Sequence, residues 1–502
     1  MDFRDLISAL SVKAHSPHLE VGIRGIAYDS RQVRPGFLFV AIRGLVSDGH
    51  RFVHDAVSRG AAALLLEQTV AVPEGVAWAV VPDTRVALAI VSSRFYGEPA
   101  RGLSLIGVTG TNGKTTTTHL IAALMRVRHP KVGLVGTIYN AIGDEILPVT
   151  HTTPESLDLQ RLLRRMADAG VRDVVLEVSS HGLRLARVEG LRFDAAVFTN
   201  LTQDHLDFHA DMDDYFASKA MLFERLDKDG VAVINGDNPY GRRLIQMVPG
   251  RSITYGIRET ADARAVDIRI SPTGVQFTVE SPWGVFPLSL PLAGLFNVYN
   301  ALAAVCVALE KGLTPQVVAD VLARVPGVPG RFERIDRGQD YTVIVDYAHT
   351  PDGLENVLRA ARQVAPGRVI AVFGCGGDRD RKKRPLMGAI SARHADYTVL
   401  TSDNPRSEEP LSIIADIERG YRRVRPDGYV VVPDRREAIR HACAAARPGD
   451  IVVIAGKGHE NYQLVGNQRL EFDDRREVAA ILDSMNNLNR RSRYAHDNPR
   501  GN

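Results

Sequence analysis

Short apolar runs rich in Val, Ile and Ala alternate along most of the chain with longer stretches in which apolar residues recur every three or four positions. Apolar runs of strand length closed by polar or glycine turns read as buried strands, and the longer period reads as amphipathic helix. The alternation predicts an α/β architecture of parallel sheets with crossover helices. Strands are expected at 103–108, 174–178, 195–198, 231–234, 341–345, 369–373, 397–400, 429–432 and 451–454, with helices over 115–126 and 215–226. Two turn-rich stretches, 97–102 and 325–330, divide the chain into expected domains 1–100, 101–330 and 331–486. Residues 487–502 are rich in Asn, Arg and Ser and nearly free of apolar residues, so a disordered tail is expected there. No internal repeat is visible.

Length supports the same division, because 502 residues exceed what one core holds. A hydrophobic content of 45% with 24% charged residues is that of a globular protein. No apolar run approaches the ~18 residues of a membrane span, so membrane insertion is not expected. The opening Met1-Asp2-Phe3-Arg4-Asp5 carries early acids and no following apolar stretch, which does not read as an export signal and implies a cytoplasmic protein. Cys306, Cys375 and Cys443 lack metal-ligand spacing and fit a reducing compartment. A net charge of +3 is too small to argue for a nucleic-acid partner.

The sharpest chemical signal is Gly107-Val108-Thr109-Gly110-Thr111-Asn112-Gly113-Lys114-Thr115, followed by Thr116. Amides of a glycine-rich turn and a helix N-terminus cradle phosphates, Lys114 adds charge, and the Thr115 hydroxyl suits magnesium. Val108 stands where the strict phosphate-loop pattern has glycine, but the strand before and helix after restore the context. In the expected helix 215–226, Phe216, Lys219, Ala220 and Phe223 share one face, so Lys219 lies on an apolar stripe. By pattern alone the ordinary outcome is a lysine that snorkels to water. Desolvation would instead leave a neutral amine able to take up carbon dioxide as an anionic carbamate.

The segment Thr109–Thr115 resembles the phosphate loop of the Mur ligase family, which has folylpolyglutamate synthases as relatives. Tyr28-Asp29-Ser30-Arg31, Pro35-Gly36, Phe39-Val40 and Asp48-Gly49-His50 resemble the uridine-nucleotide domain of the branch that adds diaminopimelate or lysine. Residues from Arg331 onward resemble the family's mobile Rossmann-like domain. The resemblance implies three domains: an amino-terminal domain for the uridine-linked substrate, a central ATPase domain and a carboxy-terminal domain for the incoming amino acid.

It also implies site residues. Lys114, Glu177, His205 and Lys219 would be catalytic. Thr115, Glu177, His205 and carbamylated Lys219 would lie at two magnesium ions. Gly110 to Thr116 with Asn297, Arg331 and Asp346 would hold ATP. The muramoyl dipeptide side would use Tyr28, Ser30, Leu45, Val46 and Ser47 from the first domain. From the second it would use His151, Thr152, Thr153, Ser179, Leu185 and Arg187, where Leu185 replaces the glutamine of many relatives. Asp403-Asn404-Pro405-Arg406, with Arg379, Gly456 and Glu460, resembles the motif set of diaminopimelate-adding members. Paired donors of Arg379 and Arg406 suit carboxylates, and Asp403 and Glu460 suit an ammonium. A second copy of the four letters at 497–500 follows no strand and reads as coincidence.

The activity implied is ATP-dependent addition of meso-diaminopimelate to UDP-N-acetylmuramoyl-L-alanyl-D-glutamate by a monomer, in peptidoglycan precursor synthesis. A lysine-adding relative and a folylpolyglutamate synthase are the alternatives within the class, and a non-catalytic nucleotide-binding scaffold is the alternative outside it.

Overall fold

The structure, a computed structural model, describes residues 1–44, 47–258 and 260–496. The expected substrate positions Leu45 and Val46 and the motif copy at 497–500 lie outside the described residues. Among the described residues three large sheets follow one another along the chain. The first has five strands, and from Gly25–Ala27 through Phe37–Val40 and Ala61–Leu66 to Ala77–Val80 its pairings are parallel. The second has eleven strands, with a parallel centre and antiparallel hairpins at both ends. The third has six strands, parallel except for its first, Glu333–Ile335.

Register decides where the chemistry gathers. In the second sheet Ser104–Thr109 lies between Asp173–Glu177 and Phe193–Phe198, with Glu177 opposite Val108 and Phe198 opposite Thr109. Three loops therefore leave the same carboxyl edge side by side, the place where open α/β sheets bind ligands. In the third sheet Asp346 pairs with Ala455 and Phe373 with Leu400, so the loops after 346, 373, 400 and 455 share one edge.

The expected strands are present within a few residues at each end, apart from 231–234, which belongs to a longer strand, Leu226–Asn235. The helix after the phosphate loop spans Lys114–Arg128. The helix expected over 215–226 starts earlier and stops sooner. Asp211 caps it by accepting from the Asp214 amide at 2.8 Å, it runs Met212–Ala220, and a 3-10 turn at Phe223–Arg225 leads into the next strand. The last helix spans Asp474–His496, past the point where composition placed the tail. Its early turns bury Val478, Ile481 and Leu482, and an anchored helix continues through polar residues as long as their propensity permits. No helix among the described residues is long and apolar enough to cross a membrane.

Helices Lys383–His394 and Pro410–Arg422 touch backbone to backbone. A Cβ on Gly388 would stand 2.0 Å from the Ile417 carbonyl oxygen, and one on Gly420 would stand 1.9 Å from that of Pro385. Buried Arg384 reinforces the crossing through Glu408 at 2.8 Å and Asp416 at 3.1 Å. Replacing Gly420 by Ala must separate the helices, at a cost of about 1–3 kcal/mol. The expected outcome is a lower unfolding midpoint, and an unchanged midpoint in a denaturant titration would contradict this packing.

Candidate functional site

The phosphate-loop backbone is fixed from the neighbouring strand. Thr111 N donates to the Asn200 carbonyl at 2.9 Å and Asn112 N to the Asn200 side-chain oxygen at 2.9 Å. Thr199 Oγ1 donates to the Asn112 carbonyl at 2.6 Å. Gly110 has φ +147°, and a Cβ there would lie 1.9 Å from Thr199 Oγ1. Gly113 has φ +87° and faces Asn300 Oδ1 at 2.4 Å from the same imagined atom. Neither position accepts a side chain without displacing this bracing. Lys114 curls over its own loop, donating to the carbonyls of Gly110 at 2.9 Å and Thr111 at 2.8 Å. Burial lowers its pKa, an effect opposed by Glu177 and Asp204.

Glu177, at the end of its strand, is completely buried rather than solvated. Its carboxylate accepts from Thr115 Oγ1 at 2.9 Å, Thr137 Oγ1 at 3.0 Å and Thr137 N at 2.8 Å. Arg331 Nη2 reaches the same Thr115 hydroxyl at 3.0 Å. A buried carboxylate held only by neutral donors, with a guanidinium one atom away, is a setting that favours a cation. Thr115 and Glu177 therefore fit a magnesium ion. Among the described residues no group of three or more His, Cys, Asp or Glu side chains is arranged to hold a metal ion unaided.

His205 has φ +54° and donates its amide to Asp204 Oδ1 at 2.8 Å. Its ring packs on His181 at 4.9 Å between centroids and on Tyr215 at 6.1 Å. Burial pushes both imidazoles down to about 4. Lys219 does not snorkel. It is 1% exposed, its ammonium donates to the Gly110 carbonyl at 2.8 Å, and it lies 4.5 Å from the Tyr215 ring centre. Burial, followed by the charge of Lys114, lowers its pKa well below that of an ordinary lysine.

A cavity of about 470 Å³ lies between the phosphate loop and the third domain, and Lys219 is not on its wall. Lys114, Thr115, Glu177 and His205 line it from one side, and Arg331, Asp346, Tyr347 and His349 from the other. Asp346 is half-buried and raised in pKa by desolvation, while its carboxylate accepts from the amides of Phe332 at 2.6 Å and Ala348 at 2.8 Å. Asn297 is not on the wall. It donates to the Ala293 carbonyl at 2.8 Å and accepts from Asn300 at 3.0 Å, and Asn300 is the residue that lines the cavity. Asp352 latches the two domains by accepting from Asn112 Nδ2 at 2.5 Å and Thr202 Oγ1 at 3.1 Å.

On the dipeptide side, Thr152 meets Thr137 at 3.1 Å, and Thr153 Oγ1 meets Ser179 Oγ at 3.1 Å. Ser179 caps the helix that ends before Leu185 by accepting from Gly182 N at 3.0 Å. Arg187 donates to the Thr153 carbonyl at 2.9 Å and pairs with Glu155 at 2.8 Å. His151 is exposed and contacts Thr150 at 3.1 Å. Tyr28 reaches across from the first domain, its hydroxyl donating to Asp158 at 2.7 Å. Ser30 is buried with its hydroxyl toward Asp55, and the Ser47 carbonyl accepts from Gly44 N at 2.8 Å.

A second cluster forms at the edge of the third sheet. Asp403 and Asn404 are buried, and Asn404 Nδ2 donates to Glu460 Oε2 at 2.9 Å. Buried Lys457, which pattern reading left without a role, donates to the same oxygen at 3.0 Å. Gly456, at φ +122°, leaves room for Asp403 Oδ2 only 2.6 Å from where a Cβ would be. Arg406 has φ +52° and donates to the Gly377 carbonyl at 2.7 Å, and Gly377 lies against the Pro405 carbonyl. Arg379 is exposed on the adjoining loop and donates to the Asp378 carbonyl at 3.2 Å.

Three family models match in chain order: Mur ligase family, catalytic domain, over 22–96; Mur ligase middle domain, over 108–308; and Mur ligase, glutamate ligase domain, over 330–458. The chain is 49% identical over 486 residues to the UDP-N-acetylmuramoyl-L-alanyl-D-glutamate--2,6-diaminopimelate ligase of Syntrophomonas wolfei, covering 96% of this chain and 99% of that one. The chain belongs to the Mur ligase family. The like-named ligase of Geobacillus thermodenitrificans is 50% identical over 467 residues, covering 92% of this chain and 95% of that one. A solved structure with the same ligase name superposes with a TM-score of 0.69 at 37% identity, covering 97% of this chain and 99% of that one.

Several residues around this Mur ligase site were not singled out from pattern: Thr137, Asn200, Asp352 and Lys457. All are polar, and each earns its place through a partner distant in sequence.

The histidine cluster has a pH consequence. His181 has a folded pKa near 4, set first by burial and then by His209, against an ordinary value of 6.5. The unfolded chain therefore binds more protons between those values, so stability rises as pH increases from about 4 to 6.5 and is then flat for this group. Proton NMR of the His181 ring should show no midpoint above pH 5, and a midpoint near 6.5 would contradict the buried setting.

Proposed function

We propose that the protein adds meso-diaminopimelate to the D-glutamate of UDP-N-acetylmuramoyl-L-alanyl-D-glutamate, at the expense of ATP, in the cytoplasm. The observation that carries this reading is the meeting of two unlike half-sites. A phosphate loop with a buried carboxylate lines one side of a cavity, Arg331, Asp346 and His349 of the third domain line the other, and the same domain carries Asp403, Arg406 and Glu460 at its sheet edge. The 49% identity to a ligase of that name over nearly the whole chain supports the choice of substrate.

In this reading the side-chain carboxylate of D-glutamate attacks the γ-phosphorus of ATP, releasing ADP and leaving an acyl phosphate. Gly110 to Thr116 hold the phosphates, with Lys114 stabilising the charge that develops during transfer. Arg331 and Asp346 hold the nucleotide from the third domain, with Asn297 supporting Asn300 behind the wall. Thr115, Glu177, His205 and Lys219 would hold magnesium, which when bound neutralises phosphate charge. The amine of diaminopimelate, oriented by Asp403 and Glu460, attacks the acyl carbon, and loss of phosphate leaves the amide. Arg406 with Arg379 reads the distal carboxylate, while Asn404, Pro405 and Gly456 shape the loops. Thr152, Thr153, Ser179 and Arg187 position the dipeptide, with Tyr28, Ser30 and Ser47 toward the uridine end. Contact between the domains excludes water that would otherwise hydrolyse the acyl phosphate.

Lys219 acts here as its carbamate, formed when the neutral amine takes up carbon dioxide and loses a proton. Its burial and its depressed pKa support this. Lys219→Ala should lose at least about a hundredfold in rate, as expected for removing a group that stabilises transferred charge. Added short carboxylic acids should restore part of it, and a fully active unrescued variant would exclude a required carbamate.

The substrate assignment is tested by offering diaminopimelate and L-lysine in parallel. Lysine leaves a guanidinium without its carboxylate, and an unpaired desolvated charge costs about 3–5 kcal/mol, a hundred- to several-thousandfold in kcat/KM. Arg406→Ala should raise KM for diaminopimelate and narrow this preference. Equal efficiency of the unaltered protein with both amino acids would reject diaminopimelate as its specific substrate.

A further inference from the structure

The loops that carry Asp403 and Gly456 leave strands that are not neighbours. Tyr397–Leu400 and Ile451–Ala455 are separated in the sheet by Val369–Phe373, so no hydrogen-bonded ladder joins them. Arg435, the first residue of helix Arg435–Ala445, spans the gap. Its Nη1 donates to the Ser402 carbonyl at 3.3 Å and its Nη2 to the Ala455 carbonyl at 3.0 Å. Those are the residues immediately before Asp403 and Gly456. The guanidinium is aimed by Asp474, the first residue of the last helix, through Nε at 2.8 Å and Nη2 at 2.7 Å. Both side chains of this pair are fully buried.

A buried ion pair is a poor way to gain stability, since well-packed apolar residues generally do as well. What apolar residues cannot do is bind two carbonyls in a fixed relative orientation, which a planar fork held at one end by a carboxylate does. The spacing is tight on the ligand side too. A Cβ on Gly456 would lie 2.6 Å from Asp403 Oδ2 and 3.8 Å from Arg435 Nη2, so the acid and the guanidinium both come close to this glycine.

We propose that Arg435 and Asp474 are positioning residues for the incoming amino acid, holding the Asp403 loop and the Gly456–Glu460 loop at a set separation before the substrate arrives. This rests on the reading of Asp403, Arg406 and Glu460 as the amino-acid site. Lysine at 435 keeps the charge opposite Asp474 but has no fork to reach both carbonyls. Asn at 474 keeps the shape and one acceptor oxygen but loses the charge that aims the fork.

The test is steady-state kinetics with each of the three substrates varied in turn, for the unaltered protein, Arg435→Lys and Asp474→Asn, together with thermal unfolding. Partners that orient metal ligands typically change affinity or activity by 10- to 100-fold, and on that scale KM for diaminopimelate should rise by about tenfold or more in Arg435→Lys. A smaller rise in the same direction is expected for Asp474→Asn. The KM values for ATP and for the uridine-linked dipeptide should stay near those of the unaltered protein. A uniform rise in all three KM values, or a lower unfolding temperature with KM for diaminopimelate unchanged, overturns the proposal and leaves the pair a structural staple. Should Arg435→Lys fail to fold, Asp474→Asn carries the same test. Absence of product from the unaltered protein with diaminopimelate would reject the functional reading itself, a result distinct from loss of the KM pattern.

Discussion

The carboxylate of Glu177 is buried at the end of a central strand and bonded only to threonine hydroxyls and one amide. Desolvating a charge with only neutral partners is expensive, and the surrounding structure is arranged to meet that cost. Thr115 is brought to it by the helix that follows the phosphate loop, and Thr137 by the loop after the strand Val132–Val135. Arg331, at the start of the third domain, supplies a positive group through Thr115. Catalytic geometry and domain arrangement thus share one electrostatic constraint.

Chemistry is divided between two sheet edges. The second sheet gathers groups suited to phosphate and to developing negative charge, whereas the third gathers paired acids and arginines suited to a zwitterion. Asp352 ties the phosphate loop to the third domain, and burial raises its pKa while Asn112 and Thr202 hold its carboxylate. Within the third domain Tyr347 lies 4.6 Å from the Arg331 guanidinium and 4.9 Å from the His459 ring. Cys306, Cys375 and Cys443 are free and buried.

Much of the fold was legible because buried parallel strands leave short continuous apolar runs closed by polar or glycine turns. Val369–Phe373 and Tyr397–Leu400 have the bounds their pattern implied. The helix around Lys219 was less legible. Its cap at Asp211 and its early stop depend on how the following residues turn into a strand, which periodicity does not report. Pattern alone would have sent Lys219 to water, whereas the fold supplies a carbonyl 109 residues away in sequence. Asn297 and Asn300 show the same limit, since both lie one turn apart on one helix and only packing decides which faces the cavity.

The sequence by itself determined the α/β class, the phosphate loop and the motif sets, because glycines at forced backbone angles, strand-ending acids and apolar periods are local properties. The tertiary structure decided which of those groups meet and in what state. Burial of Glu177, the carbonyl partner of Lys219, the latch at Asp352 and the fork of Arg435 across two non-adjacent strands all join residues distant in the chain. Their energies come from desolvation and from hydrogen-bond direction, quantities that exist only once the chain has folded around them.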